Sequence, residues 1–266
     1  MTQGAAQLRR EVTDAKRIVV KVGSSSISGE NRAQIDPLVD ALAEAYFRGV
    51  EVVLVSSGAI ATGMPFLKLD SRPHDLATQQ AAAAAGQNVL MWRYQTSLDR
   101  FPIIAGQVLL TAGDLENPTH RSNAQRAMER LLDLRLLPIV NENDTVATHE
   151  IRFGDNDRLA ALVSELIGAD LLVLLSDVDA LYTRPPQLPG ARRIDHVAFD
   201  DDLSGVELGD IGSAGVGTGG AGTKIAAAKL AAASGTAVLL ASTANVSAAL
   251  SGEPTGTWFE AAPAVS

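Results

Sequence analysis

The chain has 266 residues, a formal net charge of −9 and no cysteine. This length allows one large domain or two lobes that share a core, and the lack of cysteine excludes disulfides and thiolate metal sites. The negative charge disfavours nucleic acid and anionic membranes as partners. No apolar stretch is long enough to span a bilayer, and the polar first residues lack the apolar core of a signal peptide. We therefore expect a cytoplasmic protein.

Short β-branched runs alternate along the chain with longer segments whose apolar residues have helical spacing. Residues 1–14 and 260–266 are expected to be flexible tails. Apolar strands that alternate with helices indicate an α/β fold with a mostly parallel central sheet, covered by helices on both faces. The predicted strands are 17–22, 51–55, 102–110, 136–140, 171–175, 191–199 and 236–241, and the predicted helices are 36–48, 76–98, 119–135, 156–167 and 224–233.

The loop after the first predicted strand, KVGSSSIS at 21–28, combines a lysine with glycine and hydroxyl side chains. Ligands of such sheets bind beyond the carboxyl ends of the strands. Gly23 lets a ligand come close to the backbone, and the three serines Ser24 to Ser26 offer hydroxyl and amide donors. With Lys21 they form a candidate anion site. The alternative is a simple turn beside a lysine whose amine reaches solvent.

Two further loops also follow predicted strands. SSGAIATG at 56–63 places Ser57 and Gly58 before a helical pattern, where free amides favour a carboxylate or phosphate. Ser176 and Asp177 follow the apolar run LLVLL, a position that suits contacts to the ribose or phosphates of a nucleotide. The alternatives are an ordinary surface loop in the first case and turn residues in the second.

The most specific segment is NENDTVATHEIRFGDND at 141–157, which follows the predicted strand LLPIV and is expected to form a loop with a hairpin. So many short polar side chains after a buried strand are costly unless they bind a ligand. Carboxylates here are candidates to hold an ammonium group, to orient lysines or to accept a water-bridged Mg²⁺, and no direct metal ligand is assigned. Capping of the next helix by Asp155, Asn156 or Asp157 explains only part of the segment.

The glycine-rich segment SAGVGTGGAGTK at 213–224 leads into a helix that we expect Thr223 and Lys224 to open. No apolar strand precedes it, which excludes a dinucleotide fingerprint although the glycine spacing fits one. A phosphate-binding helix start with a lysine attached is the functional interpretation, and a flexible linker is the alternative. The four histidines are scattered, so we predict neither a zinc site nor a hydrolase triad.

Taken in chain order, these segments resemble the amino-acid kinase family over residues 16–260. The string NENDTVAT followed by GDND is similar to the branch that phosphorylates glutamate, whereas uridylate, carbamate and acetylglutamate kinases share the lysine and glycine loops but not this string. The resemblance implies a three-layer αβα sandwich that forms one kinase domain at 15–260. Within it, residues 15–168 would bind glutamate, and residues 169–260 would bind ATP together with Mg²⁺. The resembling segments are 21–25, 56–63, 141–158, 176–177, 181–182 and 217–224.

The resemblance also implies roles for individual residues. Lys21 and Lys224 would neutralise the negative charge of the phosphoryl group during its transfer, and Asp157 would orient both lysines. The implied reaction is the first step of proline synthesis. Glu150 lies in the region where proline inhibits family members by competing for the glutamate site. The implied glutamate site comprises Ser57, Gly58, Asp144, Asp155 and Asn156, and the implied ATP site comprises Lys21, Gly23, Ser24, Ser176, Asp177, Thr218, Gly219, Gly220, Ala221, Gly222, Thr223 and Lys224.

Two other interpretations remain open from the sequence. One is a related kinase with another small acid or a nucleotide as substrate, and the other is an amino-acid sensor that kept the fold without the chemistry. Many family members continue into a small C-terminal PUA domain, and since this chain stops at Ser266 we expect no such domain. We also expect a homo-oligomer, either a dimer or a tetramer.

Overall fold

The computed structural model describes residues 11–147, 156–207 and 220–263. The strands in chain order are β1 Arg17–Lys21, β2 Glu51–Val55, β3 Ala105–Leu110, β4 Leu137–Glu142, β5 Leu171–Ser176, β6 Leu181–Tyr182, β7 Arg193–Ile194, β8 His196–Val197, β9 Ala237–Ser242 and β10 Thr257–Phe259. The helices are α1 Ile35–Phe47, α2 Ala59–Gly63, α3 Leu76–Leu98, α4 Ala112–Glu116, α5 Pro118–Asp133, α6 Asn156–Ile167, α7 Ala221–Ala233 and α8 Val246–Leu250.

Eight strands form the main sheet, in the order β3-β4-β2-β1-β5-β9-β10-β8. Strand β1 lies at its centre and pairs in parallel with β2 and β5. Among the described pairs of this sheet, β2–β4, β3–β4, β5–β9 and β8–β10 are also parallel, and β9–β10 is antiparallel. The prediction of a mostly parallel central sheet is therefore confirmed.

The core lies on both faces of this sheet. In β1, Ile18 and Val20 belong to one apolar cluster with α1 and α3, whereas Val19 belongs to a second cluster with α6 and α7. Because successive side chains of a strand point to opposite faces, each face of β1 is covered by a different helix layer. This arrangement is the predicted three-layer sandwich. No helix of the described ranges is long and apolar enough to cross a membrane.

Several predicted boundaries differ from the structure. Helix α7 begins at Ala221 rather than at Thr223 or Lys224. Its first turn was not predicted because it contains Gly222, and glycine is unfavourable inside helices. The predicted strand 191–199 is two short strands, β7 and β8. Strand β10 was not predicted, and residues 11–14 of the expected tail are helical, with Val12 buried in the core.

Candidate active site

The candidate site lies beyond the carboxyl ends of the central strands. Parallel pairing of β1 with β2 and β5 brings the loops that follow these strands to one edge of the sheet. Lys21 is the last residue of β1, and Ser176 is the last of β5. Loops predicted separately from the sequence are therefore neighbours in space.

A buried carboxylate with two lysines forms the centre of the site. Nζ of Lys21 is 2.5 Å from Oδ1 of Asp157, and Nζ of Lys224 is 2.9 Å from Oδ2 of the same residue. The side chain of Asp157 is fully buried, and those of Lys21 and Lys224 are only 4% and 12% exposed. Two cations and one anion leave a net positive charge in a poorly solvated place, although the whole chain is acidic.

Three elements supply this charge cluster. Asp157 is the second residue of α6, so its backbone also lies at a helix start that favours an anion. Lys224 lies in the first helical turns of α7, whose N-cap is Gly220. Thr223 donates from Oγ1 to the Gly220 carbonyl at 2.9 Å and lies 3.4 Å from Oδ2 of Asp157. The first turn of α7 is thus held against Asp157.

The loops after β1 and β2 contact each other at two small residues. Gly58 has a φ of +94°, and a Cβ there would lie 3.3 Å from Cβ of Ser24, so glycine suits both the backbone and the space. A Cβ on Gly23 would lie 3.9 Å from Nζ of Lys21. The amine of Lys21 therefore lies beside Gly23, in the loop where the sequence predicts an anion site.

Asp177 connects the loop after β5 to the loop after β1. Its carboxylate accepts hydrogen bonds from Oγ of Ser25 at 3.0 Å and from Oγ of Ser26 at 3.1 Å. Oγ1 of Thr243, just after β9, donates to Oγ of Ser26 at 3.0 Å. The hydroxyl and carboxylate groups thus join the ends of three strands beside Lys21.

A second polar network lies on the β2 and β4 side of the site. Nδ2 of Asn156 donates to the Ser56 carbonyl at 2.6 Å and to Oδ1 of Asn141 at 2.8 Å. Oγ of Ser56 is 2.9 Å from the hydroxyl of Tyr94, and burial raises the pKa of Tyr94, so that this hydroxyl stays protonated. The carbonyl of Ser56 and the start of α6 are therefore held together next to Ser57 and Gly58.

The structure brings most of the predicted site residues to this one edge. Asp144 lies two residues beyond β4, in a turn. Glu150, Asp155, Thr218 and Gly219 lie outside the described residues. The other predicted residues surround Asp157, the glycine loop or the start of α7: Lys21, Gly23, Ser24, Ser57, Gly58, Asn156, Ser176, Asp177, Gly220, Ala221, Gly222, Thr223 and Lys224.

Sequence reasoning missed several side chains of the two networks. Gln87, from the middle of the alanine-rich α3, accepts a hydrogen bond from Nδ2 of Asn141 at 2.8 Å. Thr243 was also missed; it donates to Ser26, one of the loop hydroxyls that were predicted for the anion site. No local motif singles these residues out, because each is defined by a partner that is far away in the sequence.

The chain is similar to known proteins over most of its length. The family model described as the amino acid kinase family matches residues 16–242. The chain is 75% identical over 251 residues to the glutamate 5-kinase of Clavibacter michiganensis subsp. michiganensis, which covers 94% of this chain and 96% of that protein. It is 74% identical to the glutamate 5-kinase of Leifsonia xyli subsp. xyli, with 94% and 93% coverage.

A more distant relative and a solved structure extend the comparison. The glutamate 5-kinase of Thermobifida fusca is 55% identical over 263 residues, which make up 97% of this chain and 68% of that protein. The structure of carbamate kinase from Giardia lamblia bound to AMP-PNP has a TM-score of 0.68 and 15% identity, and covers 93% of this chain and 99% of that one. At this identity the likeness concerns the fold alone.

Proposed function

This chain belongs to the amino acid kinase family, and we propose that it transfers the γ-phosphoryl group of ATP to the side-chain carboxylate of L-glutamate. The products are ADP and L-glutamyl 5-phosphate, and the reaction is the first step of proline biosynthesis. One observation carries the proposal: two buried lysines from distant parts of the chain contact opposite oxygens of Asp157. The high identity to glutamate 5-kinases supports glutamate as the acceptor.

The chemistry needs positioning and positive charge rather than a protein nucleophile. An oxygen of the ionised glutamate carboxylate attacks the γ-phosphorus, and the bond to the β,γ-bridging oxygen of ATP breaks as ADP leaves. Lys21 and Lys224 are placed to neutralise the negative charge on the oxygens in transit. Since the acceptor is already an anion, no strong general base is required. Asp157 fixes the separation of the two ammonium groups.

We propose that the two substrates lie on opposite sides of β1. The strands β2, β4 and β3 stand on one side of β1, and β5 and β9 stand on the other. Residues 15–168 would then hold glutamate through Ser57, Gly58, Asp144 and Asn156. Residues 169–260 would hold ATP through the loop after β5 and the start of α7.

Mg²⁺ is proposed to enter with the ATP phosphates. The described residues contain no cluster of three His, Asp or Glu side chains that would hold a metal ion. Both oxygens of Asp157 contact lysines, and those of Asp177 accept serine hydroxyls. Mg²⁺ usually combines few protein carboxylates with substrate phosphates, so the nucleotide would supply most of its ligands. When bound it would offset phosphate charge together with the lysines.

Further properties are proposed from the same family membership. Proline is expected to inhibit by competing with glutamate, and a homo-oligomer in the cytoplasm is the expected state. ADP release by the purified protein with Mg-ATP, measured with and without L-glutamate, tests the function, with aspartate and acetylglutamate as controls. Release that depends on glutamate and falls with proline is the expected result. ADP release that occurs only with another acid would show that glutamate is not the substrate.

A related kinase with a different acid is the competing function. The two hypotheses predict different roles for Asp144, because an ammonium-bearing substrate needs an anion near its amino group. For a glutamate kinase, Asp144→Ala raises the KM for glutamate and leaves the KM for ATP unchanged. Unchanged glutamate kinetics in this variant would contradict the proposed role of Asp144.

A further inference from the structure

Three side-chain amides from three different elements are hydrogen-bonded in series next to the candidate glutamate site. Gln87 lies in α3, Asn141 in β4 and Asn156 at the start of α6. Nδ2 of Asn141 donates to Oε1 of Gln87, and Nδ2 of Asn156 donates to Oδ1 of Asn141, both at 2.8 Å. All three residues are buried.

Two backbone groups fix which way each amide faces. The backbone N–H of Glu142 can only donate, and it bonds Oδ1 of Asn141 at 2.9 Å. The carbonyl of Ser56 can only accept, and it bonds Nδ2 of Asn156 at 2.6 Å. The orientation of both asparagines therefore follows from the network and not from the choice between nitrogen and oxygen at one position.

This orientation determines what Asn156 offers to a ligand. Its amide nitrogen has two hydrogens, and Ser56 and Asn141 accept them both. Its remaining polar atom is the carbonyl oxygen Oδ1, which can only accept a hydrogen bond. Asn156 thus suits a donor such as the α-ammonium group of an amino acid, and does not suit a carboxylate.

Gln87 is the far end of this series and has an unusual feature. Its Nε2 is buried and has no hydrogen-bond partner in the part of the chain that the structure describes. Buried amide donors are normally paired, so a side chain kept only for stability would not leave this group without an acceptor. The useful atom of Gln87 is therefore its oxygen, which holds Asn141.

We infer that Gln87 is a positioning residue for glutamate. Through Oε1 it holds the amide of Asn141, and Asn141 in turn holds Asn156 with Oδ1 available to the ammonium group of the substrate. The inference rests on the proposed function, because it assigns Gln87 to the recognition of that same substrate. Gln87 does not contact the reacting atoms in this arrangement.

The test compares the KM values for L-glutamate and for ATP in the purified Gln87→Met variant. Loss of one hydrogen bond in the series is expected to raise the KM for glutamate about five- to tenfold and to leave the KM for ATP unchanged. Gln95→Met is the matched control, since Gln95 is on the same helix but supports the start of β3 by accepting from the backbone of Ala105. The control is expected to retain wild-type KM values for both substrates.

A double-mutant cycle separates positioning from a general loss of structure. In an Asn141→Ala background, Gln87→Met is expected to cause no further rise in the KM for glutamate, because the connection is already broken. Additive effects, an unchanged glutamate KM, or an equal rise in both KM values would overturn the inference. Gln87→Asn, which keeps an amide but is one methylene shorter, gives the same test if the methionine variant does not fold. A wild-type protein without glutamate-dependent ADP release would instead refute the proposed function.

Discussion

Lys21 and Lys224 lie near opposite ends of the chain and contact opposite oxygens of one carboxylate, that of Asp157. The carboxylate keeps two like charges at a fixed separation, although they would otherwise repel each other in a poorly solvated place. The two lysines and this aspartate together carry one net positive charge. In the proposed reaction this charge lies where negative charge crosses from ATP to the acceptor.

Replacement of Lys224 by alanine is expected to lower kcat about 100- to 1,000-fold, the usual loss when one stabilising group is removed from an active site. The fold should persist, because Asp157 keeps Lys21 as its partner. ADP release and the thermal midpoint of unfolding would be measured side by side. Lys229→Ala on the same helix is the control, and full activity in Lys224→Ala would disprove the role of this lysine.

Asp157→Ala is expected to differ from Lys224→Ala by reducing stability as well as activity. It leaves two adjacent cations without the anion that pairs them, and removing one partner of a buried ion pair costs about 3 kcal/mol. Denaturant unfolding at neutral pH would give the free-energy change. An Asp157→Ala protein as stable as the wild type would show that the lysines do not depend on this carboxylate.

Thr243→Val is expected to raise the KM for ATP about fivefold, because it removes a hydroxyl that holds Ser26 next to Asp177. The KM for glutamate should not change, since this network lies on the β5 and β9 side of Lys21. Thr243→Ser keeps the hydroxyl and should behave like the wild type. A rise in the KM for glutamate alone would contradict the assignment of this network to ATP binding.

Gly86→Ala is expected to destabilise the protein by about 1–3 kcal/mol or more, because an added Cβ would overlap the backbone of the adjacent helix. A Cβ there would lie 1.8 Å from the carbonyl oxygen of Ala59, so α2 and α3 would have to move apart. The free energy of unfolding checks this, with the exposed Ala84→Ser as control within about 0.5 kcal/mol. Since α2 follows Gly58 directly, the KM for glutamate should also rise.

The sequence allowed the sheet to be predicted because its central strands contain continuous apolar runs, as in LLVLL at 171–175. The grouping of Lys21, Lys224 and Asp157 was predicted from the family resemblance, and the structure brings the three side chains together. Strand β10 was not predicted because it is three residues long and pairs antiparallel in a parallel sheet. Gln87 was not singled out because it follows a run of alanines in a helix, and the Asn141 side chain that it holds lies far away in the sequence, in strand β4.

The position of β1 at the middle of the sheet has a consequence for how specificity can change. Strands β2, β4 and β3 lie on one side of it, and β5 and β9 lie on the other. In the proposed arrangement, the loops after β2 and β4 select the acceptor, whereas the loop after β5 and the start of α7 select the phosphoryl donor. A lineage can therefore exchange one small acid for another by altering one flank of the sheet, while it inherits the nucleotide-handling flank and the lysine pair unaltered.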